Sequence, residues 1–190
     1  MDRIGNWQQT FTGRQFWPLD PRPEDVMIED VAHALSMVCR FGGHCREFYS
    51  VAQHSVIVSH AVERYAGGRG NPAVQLWGLL HDAAEAYIGD IIRPIKPYLT
   101  GYAEIESKIM EAVLQRFGLF ETRPTMPGIV KICDDRACAT EARDLMVSPP
   151  AMWWANGTAP EPFENVIYPW SSAVAEGVFL DQFHELTEAL

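Results

Sequence analysis

The sequence predicts an all-α fold, a compact helical bundle formed by residues 1–190 as a single domain. Three observations carry this expectation. Apolar residues recur at three- and four-residue spacing through most of the chain, glycine and proline clusters punctuate those runs, and convincing strand alternation is absent. With 190 residues and a hydrophobic content of 47%, the chain can bury a sizeable core without cross-links.

The opening stretch, through TGRQFWPLDPRPED, mixes Pro, Gly and aromatics without a period and reads as an irregular arm laid over the domain. IEDVAHALSMVC follows, with Val31, Leu35 and Val38 on one stripe and Glu29 and Asp30 favouring a helix start. Two glycines in RFGGHCRE break the pattern. FYSVAQHSVIVSHAVERY resumes it, with Val51, Ser55, Val58 and Val62 aligned, until GGRGNP stops it.

Pro72 suits the first turn of a third helix running through AVQLWGLLHDAAEAYIG, apolar nearly all round up to His81 and then acidic. Such an element belongs near the centre of the core. IIRPIKPYLTG is a proline-broken connector. YAEIESKIMEAVLQRFGL then sets Ile105, Ile109, Val113 and Phe117 at four-residue steps, as an outer helix does. A Pro127 start gives a helix bearing Asp134, and AVAEGVFLDQFHELTEAL gives the last one. Between them, VSPPAMWWANGTAPEPF is a long aromatic and proline loop.

Composition narrows the function. A formal net charge of -10 argues against nucleic acid polymers as partners, because that binding draws on Lys and Arg neutralising phosphates. No run approaches the roughly 20 apolar residues of a membrane span, so a membrane is not an expected partner. MDRIGNWQQTF lacks the order of a signal peptide, which makes the cytoplasm the expected location. Cys39, Cys45, Cys133 and Cys138 form no CxxC pair and read as reduced packing residues.

The chemistry concentrates in HDAAEAYIGD. Adjacent His81 and Asp82 can offer two ligand types to one ion from the side of a helix, and Glu85 projects from the same face. Asp90 follows just after Gly89. Burying so many titratable groups in an apolar element costs several kcal/mol per uncompensated charge, a cost that a divalent cation removes. Completed by His54 and Asp134 from other helices, the site would hold two imidazoles and two carboxylates around one ion. Such a set suits Mn, Fe, Co or Zn with positions left for water, and its chemistry would be attack of metal-activated water on phosphorus.

His54, His81-Asp82 and Asp134 resemble the H...HD...D signature of the HD-domain phosphohydrolases, over most of the chain. More narrowly, RFGGHCREFYSVAQHS, HDAAEAYIGDIIRPIK and KICDDRACATEARDLM are similar to the small members that include bacterial 5'-deoxyribonucleotidases and phage dATP triphosphohydrolases. The resemblance implies one divalent ion on His54, His81, Asp82 and Asp134, and catalysis by Glu85 as general acid or water-orienting group with support from Asp90. It also implies substrate-phosphate binding by Arg40 and Lys96. A planar guanidinium suits phosphate oxygens, and a carboxylate beside the ion's water can shuttle its proton.

The implied substrate is a small nucleotide, a deoxyribonucleoside mono- or triphosphate. Relatives of this kind often assemble, so a homo-oligomer is among the expectations. Two positions depart from the pattern. Phe41 stands where relatives can carry a base-stacking Trp, which leaves stacking possible and base preference open. Asp135 beside Asp134 offers a second acid for the last ligand, and Asp134 matches the spacing to Thr140-Glu141.

Plainer readings stand beside these. His33, His44 and His60 fit packing or loop contacts as readily as ligation, and Arg93 and Arg136 are only candidate helpers. Trp153, Trp154, Tyr168 and Trp170 are read as capping a core and left out of the site. The rival to an enzyme is a non-catalytic, metal-stabilised nucleotide-sensing module.

Overall fold

Periodic apolar positions become buried faces. The computed structural model describes residues 3–65, 71–121, 125–151, 153–154 and 157–190. Among them the α-helices are α1 (Ile28–Met37), α2 (Val51–Tyr65), α3 (Pro72–Leu80), α4 (Glu85–Ile88), α5 (Tyr102–Arg116), α6 (Gly128–Leu145) and α7 (Ser172–Glu188). The fold is all-α. Val31 and Leu35 of α1 and all four stripe residues of α2 are fully buried. On α5, Ile109 and Val113 are buried, with Ile105 and Phe117 packed behind them.

Helix α2 is the hub, touching α1, α3, α6 and α7. Its start is fixed by Ser50, whose hydroxyl accepts from the Gln53 amide at 3.1 Å, an N-cap that sets the rotation of everything downstream. Helix α3 approaches α2 so closely that a Cβ on Gly78 would lie 3.1 Å from the Ser59 Cα and 3.3 Å from its nitrogen. A side chain at this position would force the two helices apart by a few tenths of an ångström, so glycine suits the approach.

Two expectations need correction. The element expected as one helix through Gly89 stops at Leu80, tightens, and restarts as α4. Three-residue hydrogen bonds run from Ala83 N to Leu80 O and from Glu85 N to Asp82 O, both 2.9 Å. The His81 ring explains the tightening: its Nδ1 lies 2.8 Å from the Gly78 carbonyl, which an ideal helix would give to the Asp82 amide. Apolar periodicity does not register this side-chain bond.

The arm, expected without strands, holds a short antiparallel pair, β1 (Gln8–Gln9) and β2 (Gln15–Phe16). Its turn is closed by bonds between Thr10 and Arg14 and between Gly13 and Thr10. The arm docks through Thr12, whose amide and hydroxyl donate to the two oxygens of buried Asp30 at 2.7 and 3.0 Å. Phe16 stacks on Tyr87 of α4 at 3.7 Å between ring centroids, and the Gln8 amide donates to the Tyr87 carbonyl. Thus the arm braces the short helix that carries Glu85.

The glycine run after α2 at residues 66–70, and residues 152, 155 and 156 of the aromatic loop, lie outside the described residues. No helix among the described residues is long and apolar enough to cross a membrane.

Candidate metal centre and its cleft

His54 projects from the first turns of α2, and His81 and Asp82 from the tightened turn after α3. The glycine-mediated contact between those helices brings the two imidazoles together. Their Nε2 atoms are 3.2 Å apart, and Asp82 Oδ2 lies 3.2 Å from His81 Nε2 and 3.7 Å from His54 Nε2. From α6, Asp134 Oδ1 comes within 3.3 Å of His54 Nε2 and 3.9 Å of His81 Nε2. Lys131 and Arg93 flank the outer oxygen of Asp134 at 3.3 and 3.9 Å, and both also face Asp135, which is the more solvent-exposed acid.

The other ring nitrogens fix the tautomers. A carbonyl oxygen can only accept, so His81 Nδ1 carries a hydrogen toward Gly78. His54 Nδ1 faces Glu141 Oε1 at 2.6 Å. Glu141 is fully buried; desolvation opposes its charge, yet Arg40, His54 and Tyr49 hold it down at about 2, so it is a carboxylate that accepts. Both Nε2 lone pairs therefore point at the same small space. Two lone pairs at 3.2 Å repel unless a proton or a cation lies between them.

Burial and the Arg40 charge work against protonating His54, but Glu141 and Asp134 outweigh them and push that imidazole up to about 9. Asp82 is held well below the carboxylate range: burial opposes this, and His81, His54 and Arg40 overcome it. The donor set fits a divalent cation of borderline softness, and the buried group His54, His81 and Asp82 can hold one.

Glu85 sits beside this group and differs from it. It is 4% exposed, with Oε1 3.5 Å from Lys96 Nζ and Oε2 without a hydrogen-bond partner. Burial first, then the Asp82 and Asp90 charges, push its carboxyl up to about 9 against the pull of Arg40 and Lys96. At neutral pH it is an acid that still holds its proton. Asp90, placed just after Gly89 (φ 77°), is raised as well, chiefly by burial.

A cleft of about 570 Å³ opens from this point. Arg40, Asp90, Arg93 and Lys96 stand along it, and Phe41, Ile92 and Trp153 supply its apolar wall. Arg40 reaches toward the His54, His81 and Asp82 group, with Nη1 3.6 Å from Asp82, and its Nε and Nη2 are each 3.1 Å from Glu141 Oε2. Phe41 holds a left-handed backbone (φ 56°), unique among the described non-glycine residues, and its ring centroid lies 6.1 Å from that of Trp153. The left-handed region is unfavourable for a residue with a Cβ by roughly 1–2 kcal/mol.

Comparison with known proteins places the chain. No protein-family model matches it. It is 36% identical over 181 residues to the uncharacterized protein YfdR of Escherichia coli (strain K12), spanning 95% of each chain. The chain belongs to the YfdR family. An uncharacterized protein of Rhodobacter capsulatus is 38% identical to it over 147 residues, or 73% of this chain and 72% of that one.

In this YfdR-family chain, the sequence-predicted residues His54, His81, Asp82, Asp134, Glu85, Asp90, Arg40, Lys96 and Phe41 gather around one ion-sized space and one cleft. Others fall elsewhere. Arg136 donates to the Glu161 carbonyl and lies over the Tyr65 and Phe163 rings. His33 stacks on Phe11 and pairs with Glu176, and His60 lines a separate hollow with Tyr168 and Trp170.

Three features of the YfdR-family site escaped the sequence reading. Trp153 and Trp154 were expected to cap a core, but they line the cleft. A proline-rich loop has no period from which that direction follows. Glu141 and Tyr49 were not candidates, yet both belong to the network behind His54. For Glu141 a signal existed, since it follows Asp134 by seven residues, two helical turns along the same face.

Proposed function

We propose that this chain is a metal-dependent phosphohydrolase of the HD-domain type, acting on small nucleotides and favouring monophosphates. One observation carries the reading: two imidazole nitrogens 3.2 Å apart, hemmed by two carboxylates, at the end of an aromatic cleft edged with cations. His54, His81, Asp82 and Asp134 would hold one Mn, Fe, Co or Zn ion, which when bound acidifies water and polarises a phosphoryl oxygen.

The remaining steps fall to the chain. Glu85, buried beside the ion-binding group with Oε2 unpartnered, is placed to deliver a proton to the ester oxygen that departs from phosphorus. Arg40 Nη1, its guanidinium edge not tied to Glu141, grips the phosphoryl oxygens. Lys96 and Asp90 flank that position, and Phe41 offers a face on which a base stacks.

Charge supports the monophosphate. Each cation of the cleft already faces an ionised acid: Arg40 meets Glu141 and Asp82, Lys96 meets Glu106, and Arg93 meets Asp134 and Asp135. Little positive charge is left over for the longer chain of a triphosphate. The alternative, a sensing module without turnover, has no use for a buried neutral carboxyl with an unpartnered oxygen.

The test is product analysis of metal-reconstituted protein given deoxyribonucleoside mono- and triphosphates, with EDTA as control. Orthophosphate from monophosphates is expected. Nucleoside plus triphosphate would move the reading to a triphosphohydrolase, and no turnover with any of the four metals would move it to the sensing module.

A further inference from the structure

We propose that Glu141 is a positioning residue that fixes, with one carboxylate, both the ion-binding imidazole of His54 and the phosphate-gripping guanidinium of Arg40. This rests on the functional reading just given for His54 and Arg40.

The geometry is saturated. Oε1 accepts from the Tyr49 hydroxyl at 2.9 Å and from His54 Nδ1 at 2.6 Å, and Oε2 accepts from Arg40 Nε and Nη2 at 3.1 Å each. Glu141 is fully buried, as are Tyr49 and His54. A buried carboxylate cannot be left short of donors without a large desolvation cost, so none of these partners can swing away independently. The bond to Nδ1 leaves Nε2 as the free lone pair of His54, while the two bonds to Oε2 turn the Nη1 edge of Arg40 toward Asp82 and the cleft. Partners on the far side of a ligand commonly set its tautomer and aim. Here the same group also aims the residue that meets the substrate, so a disturbance at Glu141 reaches ion and phosphate together.

Glu141→Gln keeps the shape but replaces one accepting oxygen with an NH₂ donor, so it cannot accept on both sides. Calorimetric titration of the full-length variant with Mn²⁺, and of the Mn²⁺-loaded variant with inorganic phosphate, should give dissociation constants raised roughly 10- to 100-fold for the ion and in the same direction for phosphate. Tyr49→Phe removes one donor from the same carboxylate while keeping the bonds of His54 and Arg40 to Glu141 and the backbone bond from the Arg40 amide to the Tyr49 carbonyl. It should lower thermal stability and leave both constants within about a factor of two. Unchanged affinities in E141Q, weakening of only one ligand, or equal weakening by Y49F would each overturn the proposal.

Should E141Q fail to fold, histidine nitrogen NMR of the Zn²⁺-loaded wild-type protein decides. The ion on Nε2 of His54 with a hydrogen on Nδ1 supports the proposal, and the ion on Nδ1 overturns it. Loss of Mn²⁺ affinity in E141Q of a protein that hydrolyses no nucleotide would sink the hydrolase reading and leave the role of Glu141 standing.

Discussion

The Nε2 atoms of His54 and His81 face each other at 3.2 Å while the opposite nitrogen of each ring is held by Glu141 or by the Gly78 carbonyl. Rotating either ring away would break a buried bond, so the two lone pairs are kept in opposition. A proton or a cation between the rings would relieve that opposition, and only the folded chain presents it.

A first prediction is therefore metal-linked stability. Mn²⁺ at about 100 times its dissociation constant should stabilise the wild-type protein by roughly 2.7 kcal/mol. Asp82→Ala, which removes a carboxylate 3.2 Å from His81, should abolish the gain. Thermal melts with and without metal measure it; an undiminished shift in D82A would remove Asp82 from the ligand set.

Catalysis should separate from binding at Glu85. Glu85→Gln keeps the volume and lacks the transferable proton, so metal affinity should stay near wild type while kcat falls roughly 10²- to 10⁴-fold. Measuring bound metal by elemental analysis alongside turnover tests this. Equal loss of metal in D82A and E85Q would overturn the division into ligands and acid.

The contact of Gly78 with Ser59 predicts a third effect. Gly78→Ala puts a methyl 3.1 Å from backbone that cannot rotate aside, so α3 must shift away from α2. Overpacking of this kind destabilises by typically 1–3 kcal/mol. Urea unfolding should record it, and because the same contact sets the His54 to His81 spacing, Mn²⁺ affinity should fall as well. A stable G78A protein with unchanged affinity would show that the crossing does not set the site.

Much of this site is legible in the sequence because helix periodicity fixes which residues share a face. His81, Asp82 and Glu85 sit within five consecutive residues, and the resemblance to the H...HD...D signature adds His54 and Asp134 to them. The rest depends on distance along the chain and on side-chain bonds. Glu141 meets Tyr49 and Arg40 across 92 and 101 residues, a pairing no local pattern encodes. The break at His81 comes from an imidazole competing for a backbone carbonyl, and the short hairpin of the arm is set by its Thr10 turn and by docking on Asp30 and Tyr87.

The raised carboxyl of Glu85 gives a pH dependence of definite sign in the metal-free protein. Unfolded, this group ionises near its ordinary value of 4.5, whereas folded it keeps its proton to about 9. Between those limits the unfolded state releases a proton that the folded state retains, so this residue's contribution to stability is complete below the lower value. It falls as pH rises through the window and is constant above it. His54, pushed up to about 9, adds a loss of the same sign as pH passes from its ordinary value of 6.5 to its folded value, so wild type alone cannot isolate Glu85. Glu85→Gln can, because its amide does not titrate. In EDTA, the melting temperatures of wild type and E85Q should converge near pH 5 and separate toward pH 9, with E85Q the more stable. A gap on the order of 1 kcal/mol is about 2–4 °C for a chain of this size. Parallel curves would mean that Glu85 is ionised in the folded protein at neutral pH, and the assignment of its proton to the leaving oxygen would fall with it.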